Sequence, residues 1–206
     1  MTGACFITLE GLEGAGKTSR LADLKAFLEQ RGKAVLATRE PGGTALGERL
    51  RELLLAPDQG SMAPLTELLL MFAARSEHVS RLILPALEAG QWVLCDRYVD
   101  ASYAYQGAGR GLGEAPVAAL EALLPARARP DLTLLLDLPV ELGLARANRR
   151  SAADRFEQET VAFHQRVREA YLARARQHPL RYCIIDAAAG PDQVQAAIER
   201  AVEHLL

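Results

Sequence analysis

The stretch Gly11-Leu12-Glu13-Gly14-Ala15-Gly16-Lys17-Thr18 constrains this chain more than any other. Its spacing is that of a phosphate-binding loop: Gly, four residues, then Gly-Lys-Ser/Thr. Glycines lack a Cβ, so the backbone can curl with its N–H groups turned inward on an anion. Lys17 brings a point charge to the outer phosphates, and the Thr18 hydroxyl can ligate Mg²⁺ beside them. The loop has to follow a strand and open a helix whose N-terminal dipole favours the same anion. Both are legible. Cys5–Glu10 is a short apolar run suited to a buried parallel strand, and Leu21, Leu24, Phe27 and Leu28 recur at helical spacing up to Arg31-Gly32. An ordinary glycine-rich turn would not need that context.

A loop of this kind requires a parallel sheet behind it. Five strand candidates, Cys5–Glu10, Ala34–Thr38, Trp92–Asp96, Leu132–Asp137 and Tyr182–Asp186, alternate with helical patterns. That alternation predicts an α/β domain with a five-stranded parallel sheet covered by helices on both faces. With 206 residues and no linker, repeat or low-complexity segment, the chain reads as one domain, 1–206. Ligands in such sheets sit at the carboxyl ends of the strands, so the residues just after each strand matter most.

Composition narrows the function classes. The formal net charge of −2 supplies no global basic field for nucleic acid or an anionic membrane. The first strand begins near Cys5, which leaves no room for a signal peptide, and the longest apolar run, Leu68 to Ala74, is too short to cross a bilayer. A cytoplasmic protein is expected. Cys5, Cys95 and Cys183 share no close spacing and read as buried reduced thiols. His78, His164, His178 and His204 lack metal-ligand spacing and read as surface or helix positions. Lysine occurs only at 17, 25 and 33 among the 24 basic residues, so an arginine carries weight only in an unusual setting.

Several arginines are so placed. Arg39-Glu40 stands before the turn Pro41-Gly42-Gly43 at the ligand edge of the sheet. A helical region from about Pro64 to Ala89, with a break expected near Pro85, puts Leu65, Leu68, Phe72, Arg75 and Val79 on one face. Phe72 alone is a core residue; a guanidinium in that stripe needs a polar partner, and the pair suits a heterocyclic base. The strand Trp92–Asp96 ends in Asp96-Arg97-Tyr98, where Asp96 can hold Mg²⁺ or its waters and Arg97 can fork onto a phosphate. The bland alternative is an ion pair between strand ends. Arg146, Arg149, Arg150 and Arg155 fall within ten residues of one aspartate, as a solvated face or as a lid over phosphates. The small-residue loop Ala187–Gly190 suits a purine ring.

Taken together, Thr-Arg-Glu-Pro-Gly-Gly-Thr at 38–44, Leu-Leu-Leu-Met-Phe-Ala-Ala-Arg at 68–75, Asp-Arg-Tyr at 96–98, Tyr-Gln-Gly at 105–107 and Asp-Arg-Phe-Glu at 154–157 resemble the bacterial thymidylate kinases over essentially the whole chain. The resemblance implies the P-loop kinase fold with the loop strand central, a homodimer, and phosphorylation of dTMP by ATP with Mg²⁺. It implies ATP at Gly11–Thr18, metal at Thr18 and Asp96, and a lid at about 147–156. Phe72 matches the ring stacked on the base and Arg75 the donor to a thymine carbonyl. Arg39 and Arg97 match contacts to the acceptor phosphate, Ser102 and Gln106 belong with the dTMP site, and Tyr105 matches the tyrosine against the 2′ side of the sugar. Glu13 matches an acidic residue near the acceptor, and Arg150, four residues before Asp154, matches the lid arginine that replaces one missing at Ala15. Lys17, Arg97, Arg150 and Glu13 are thus the expected catalytic set. A regulatory nucleotide switch would need no second anion site, and a deoxynucleoside kinase would need a carboxylate base for a neutral hydroxyl.

Overall fold

The computed structural model describes residues 3–56, 62–149 and 154–206. Five parallel strands, β1 (Phe6–Gly11), β2 (Val35–Arg39), β3 (Trp92–Asp96), β4 (Leu132–Asp137) and β5 (Tyr182–Asp186), form one sheet in the order β2-β3-β1-β4-β5. The strand that feeds the glycine loop is therefore central, and every residue of it is buried. Three strands match the sequence-based boundaries. The first two are shifted by one residue, because Gly11 and Arg39 still pair with Leu136 and Asp96.

Pleating gives the sheet two cores. Phe6, Val93 and Cys95 join Leu68 and Phe72 of α3 (Pro64–His78). Their neighbours Ile7, Leu9, Trp92 and Leu94 join Leu24 and Leu28 of α1 (Lys17–Glu29) and Ile198 of α9 (Pro191–Val202). Alternate residues of one strand point to opposite faces, so each apolar run serves both layers. Between these lie α2 (Ala45–Leu55), α4 (Leu84–Glu88), α5 (Val99–Ser102), α6 (Glu114–Glu121), α7 (Val140–Asn148) and α8 (Val161–Gln177). Thr44 and Thr160 cap α2 and α8 by accepting from the N–H groups of Gly47 and Phe163.

The helical region expected over 64–89 is interrupted near Pro85, as expected, though just before it. A π-helical turn over Val79–Ile83 precedes it, and Pro85 sits in the first turn of α4. The first turn is where a missing N–H costs least, and the wider turn before it absorbs the mismatch. A second π-helical stretch, Tyr103–Gly109, follows α5 and carries the Tyr105-Gln106-Gly107 motif.

One expectation needs correction. Cys5 and Cys95 are buried free thiols, whereas Cys183 is half-exposed, because β5 is an edge strand. The histidines stand at helix or surface positions as expected: His78 and His164 lie on helices, where they are fully buried, and His178 and His204 are exposed.

Candidate active site

The carboxyl ends of β1, β2 and β3 open on one cavity of about 170 Å³, lined by Glu13, Lys17 and Thr18 from the loop and by Arg75, Arg97, Ser102, Tyr105 and Gln106 opposite. Loop geometry follows from its glycines. Gly11 and Gly14 have φ of 140° and 72°, and a side chain on either would collide with a backbone carbonyl, of Leu136 and of Gly143 respectively. Gly143 lies on α7, so the loop is pressed against that helix. Lys17 curls back, its Nζ donating to the carbonyls of Gly11 (3.1 Å) and Leu12 (2.8 Å). Burial, reinforced by the neighbouring Arg97 charge, lowers its pKa to about 8. Thr18 Oγ1 donates to Asp96 Oδ2 at 3.2 Å, so the hydroxyl and carboxylate read as metal ligands do lie together.

Arg97 follows β3 with φ at 66°, a left-handed conformation uncommon outside glycine. Its backbone N–H bonds Leu9 O, and Glu10 accepts the next N–H, that of Tyr98, at 2.7 Å. So held, Arg97 Nη1 donates to Gly11 O (3.0 Å) and Nη2 to Glu13 Oε1 (2.7 Å). The Tyr105 hydroxyl donates to the same Glu13 carboxylate at 2.7 Å, and the Tyr105 ring lies 4.8 Å from the Arg97 guanidinium. Burial alone would raise the Glu13 pKa; Arg97, Lys17 and the Tyr105 hydroxyl together more than offset that and bring it below the usual carboxylate value.

At the other end, Arg75 meets the polar partner its apolar stripe demanded. Nε donates to Glu40 Oε2 (2.7 Å), Nη1 to Ser102 Oγ (3.0 Å) and Nη2 to the Tyr98 carbonyl (3.0 Å). Glu40 also accepts from His78 Nδ1 at 2.9 Å, which accounts for one buried histidine. The Phe72 ring packs 4.5 Å from the Arg75 guanidinium, but it belongs to the α3 core, and Met71 rather than Phe72 lines the cavity. Gln106 lines it and donates to buried Glu67.

A family model described as Thymidylate kinase matches residues 9–198. The chain belongs to the thymidylate kinase family. Among relatives named thymidylate kinase, one from Alcanivorax borkumensis is 56% identical over 200 residues, 97% of this chain and 96% of its own. One from Pseudomonas entomophila is 58% identical over 201 residues, 98% and 94%. The crystal structure of thymidylate kinase from Ehrlichia chaffeensis superposes with a TM-score of 0.81 at 30% identity, covering 98% of this chain and 100% of that one.

Five arginines singled out in the sequence lie away from the cavity or outside the described residues. Arg39 is exposed, bound to Glu48 Oε2 at 2.8 Å, and does not line the cavity. Arg146 donates to the Ala187 carbonyl (2.8 Å), which ties α7 to the small-residue loop. Arg150 lies outside the described residues, and Arg149 just before it is exposed. Arg155, expected in a solvated face or a lid, is buried: Nε donates to Leu54 O (2.8 Å) and Nη1 pairs with Glu67 (2.7 Å).

Arg51 was missed. It lines the cavity, with Nη1 on the Pro41 carbonyl at 3.0 Å, and burial followed by the Arg39 charge lowers its pKa. The sequence held the signal. Gly47 and Leu54 are the buried positions of α2, and Arg51, four after one and three before the other, falls on the same face. An arginine in a buried stripe is what marked Arg75.

Proposed function

We propose that the chain, acting as one catalytic domain over residues 1–206, performs its family's reaction by direct in-line transfer between two phosphates held on either side of Arg97. The reaction is ATP-dependent phosphorylation of dTMP to dTDP. The observation that carries the reading is one shared cavity, in which the phosphate loop and the Arg75–Ser102–Gln106 edge face one another. ATP binds at Gly11–Thr18, with Lys17 exchanging its two loop carbonyls for phosphate oxygens. Thr18 and Asp96 fit Mg²⁺, which takes one or two carboxylates along with substrate phosphates and waters. Bound there, Mg²⁺ supplies positive charge to the phosphates.

The acceptor phosphate has a second pKa of about 6, so its attacking oxygen is deprotonated at neutral pH and no general base is required. The obstacle is repulsion between anions. Arg97 and Arg51 meet it on the acceptor side and Lys17 on the donor side, and Arg150 or its neighbour Arg149 meets the group in flight. Glu13 orients Arg97 and Tyr105. Arg75 donates to a thymine carbonyl, and Phe72 backs its guanidinium.

A cytoplasmic homodimer is part of the proposal. Leu46 and Leu53 on α2, and Leu65 and Leu69 on α3, are exposed on two helices packed together. Among the described residues, no helix is long and apolar enough to cross a membrane. The deciding experiment is ADP release across a panel of nucleoside monophosphates. dTMP should turn over best and dUMP a few-fold more slowly, since one methyl carbon is worth about 0.8 kcal/mol. dCMP should be very poor, and equal turnover of dCMP and dTMP would overturn the base-recognition reading.

A further inference from the structure

Gln106 lines the cavity, yet its side chain is almost wholly buried and, among the described residues, makes one hydrogen bond, from Nε2 to Glu67 Oε1 at 2.8 Å. Glu67, on α3, has no exposed surface. Arg110 Nε donates to both its oxygens (3.3 and 3.2 Å), and Arg155 Nη1 pairs with Oε2 at 2.7 Å. Neither arginine is free to leave. Arg110 is also paired with Glu159, and Arg155 is anchored on the Leu54 carbonyl. A carboxylate between two guanidiniums accepts hydrogen bonds and donates none. Only the NH₂ end of the Gln106 amide can therefore face it. The Oε1 end takes no hydrogen bond from the described residues and is left for the cavity.

We propose that Glu67 is a specificity-determining positioning residue: it locks the Gln106 amide so that the acceptor base meets a carbonyl oxygen rather than an amino group. The inference rests on the reading of dTMP as acceptor. A pyrimidine with N–H at ring position 3, thymine or uracil, satisfies that oxygen. Cytosine presents a lone pair at the same position, and two acceptors face each other with neither satisfied. This discrimination is additional to the one Arg75 makes at ring position 4. Glu67 touches no substrate; it acts through Gln106.

The consequence has a direction. In Glu67→Gln, the new amide oxygen is drawn to the place of Oε2, where Arg155 and Arg110 both donate. Its NH₂ then occupies the place of Oε1 and faces Gln106, which must turn its own oxygen inward and its NH₂ to the cavity. A donor at that point favours cytosine.

The test measures kcat/KM for dUMP and dCMP, neither of which carries the methyl group. It uses wild type, Glu67→Gln, Gln106→Leu and the double variant. The dUMP/dCMP ratio should fall about tenfold or more in Glu67→Gln, and Glu67→Gln should change it no further in the Gln106→Leu background. A merely structural Glu67 would slow both substrates alike. An unchanged ratio in a Glu67→Gln protein that still phosphorylates dUMP, or an equal change in both backgrounds, overturns the proposal and leaves the acceptor reading intact. Wild type inactive on both dTMP and dUMP overturns both. Should Glu67→Gln not fold, wild type labelled with ¹⁵N-glutamine answers instead. One Gln106 amide proton should be protected from exchange in the free and dTMP-bound protein, and fast exchange of both protons sinks the idea.

Discussion

Arg97 Nη2 lies 2.7 Å from Glu13 Oε1, so the end of β3 is tied to the middle of the phosphate loop by one charged hydrogen bond. The two residues come from different sequence motifs, and the bond makes one object of the donor loop and the acceptor side. Tyr105 completes it, with its hydroxyl on the same carboxylate and its ring over the guanidinium. An anion arriving at Arg97 finds the guanidinium already oriented, with less reorganisation left to do at the moment of transfer.

Tyr105 is boxed by Phe156, Phe163 and Tyr171, with ring centroids 5.7, 6.1 and 6.4 Å away. A ring held on three sides is a rigid wall for a sugar. Tyr105→Ala should narrow the preference for deoxyribose over ribose monophosphates. An unchanged ratio of kcat/KM for dTMP and ribo-TMP would remove Tyr105 from that role.

Glu10 makes a prediction about stability. It is fully buried under the loop and accepts from the Tyr98 N–H and the Tyr171 hydroxyl, each at 2.7 Å. Burial, and then the charge of Asp100, raise its pKa from 4.5 to about 8. The folded protein thus holds a proton that the unfolded chain has lost. Glu10 contributes its full stability below pH 4.5 and loses it as pH rises to about 8. The slope for one proton is at most about 1.4 kcal/mol per pH unit. Urea midpoints at pH 5 and pH 8 should show this loss in wild type and much less of it in Glu10→Gln. Parallel profiles for the two proteins would contradict it.

The sheet was readable because its strands are continuous apolar runs, and such runs have one use in a chain that alternates them with helices. Lys17, Thr18 and Asp96 were readable for the same reason, since strand ends mark the ligand edge and the loop motif supplies the rest. Contacts that depend on how helices seat on the sheet were not. Gly14 against Gly143 joins residues that no local pattern relates. Arg155 reads as surface in a run of charges and is buried because Glu67, far away in sequence, is turned toward it. Arg39 and Arg51 show the limit most clearly. Arg39 stands beside the turn motif yet points to solvent, whereas Arg51, in a buried helical stripe, lines the cavity.

That contrast ranks two substitutions. Arg39 has an exposed partner, and its loss removes a surface ion pair worth little. Arg51 lines the cavity with its charge partly desolvated, where a phosphate would be its natural partner. Arg51→Ala should raise the KM for dTMP about tenfold or more, and Arg39→Ala by much less. Steady-state kinetics of both variants decide the matter, and the reverse order would restore Arg39 to the acceptor site.

Lys17 spends its charge on two loop carbonyls when no nucleotide is present, so removing it costs the fold little. Lys17→Ala should nearly abolish phosphoryl transfer while circular dichroism matches wild type. A variant with most of its activity would mean that Gly11–Thr18 is not the donor site.

The charge on the transferred group still needs a partner, because the loop Gly11–Thr18 contains no arginine of its own. Four arginines lie in the segment that could supply one, and two of them are committed. Arg146 holds the Ala187 carbonyl, and Arg155 holds Leu54 and Glu67. Arg149 is exposed, and Arg150 stands four residues before Asp154, whose carboxylate caps the turn at Phe156 and Glu157. An arginine delivered to a phosphoryl group in flight accelerates related reactions on the order of 10³-fold or more. Such a contact forms in the transition state and adds little to the binding of dTMP. Arg150→Ala should therefore lower kcat by about that factor with the KM for dTMP nearly unchanged. If KM rises and kcat holds, Arg150 binds substrate and the transition-state contact passes to Arg149, for which the same pair of measurements decides.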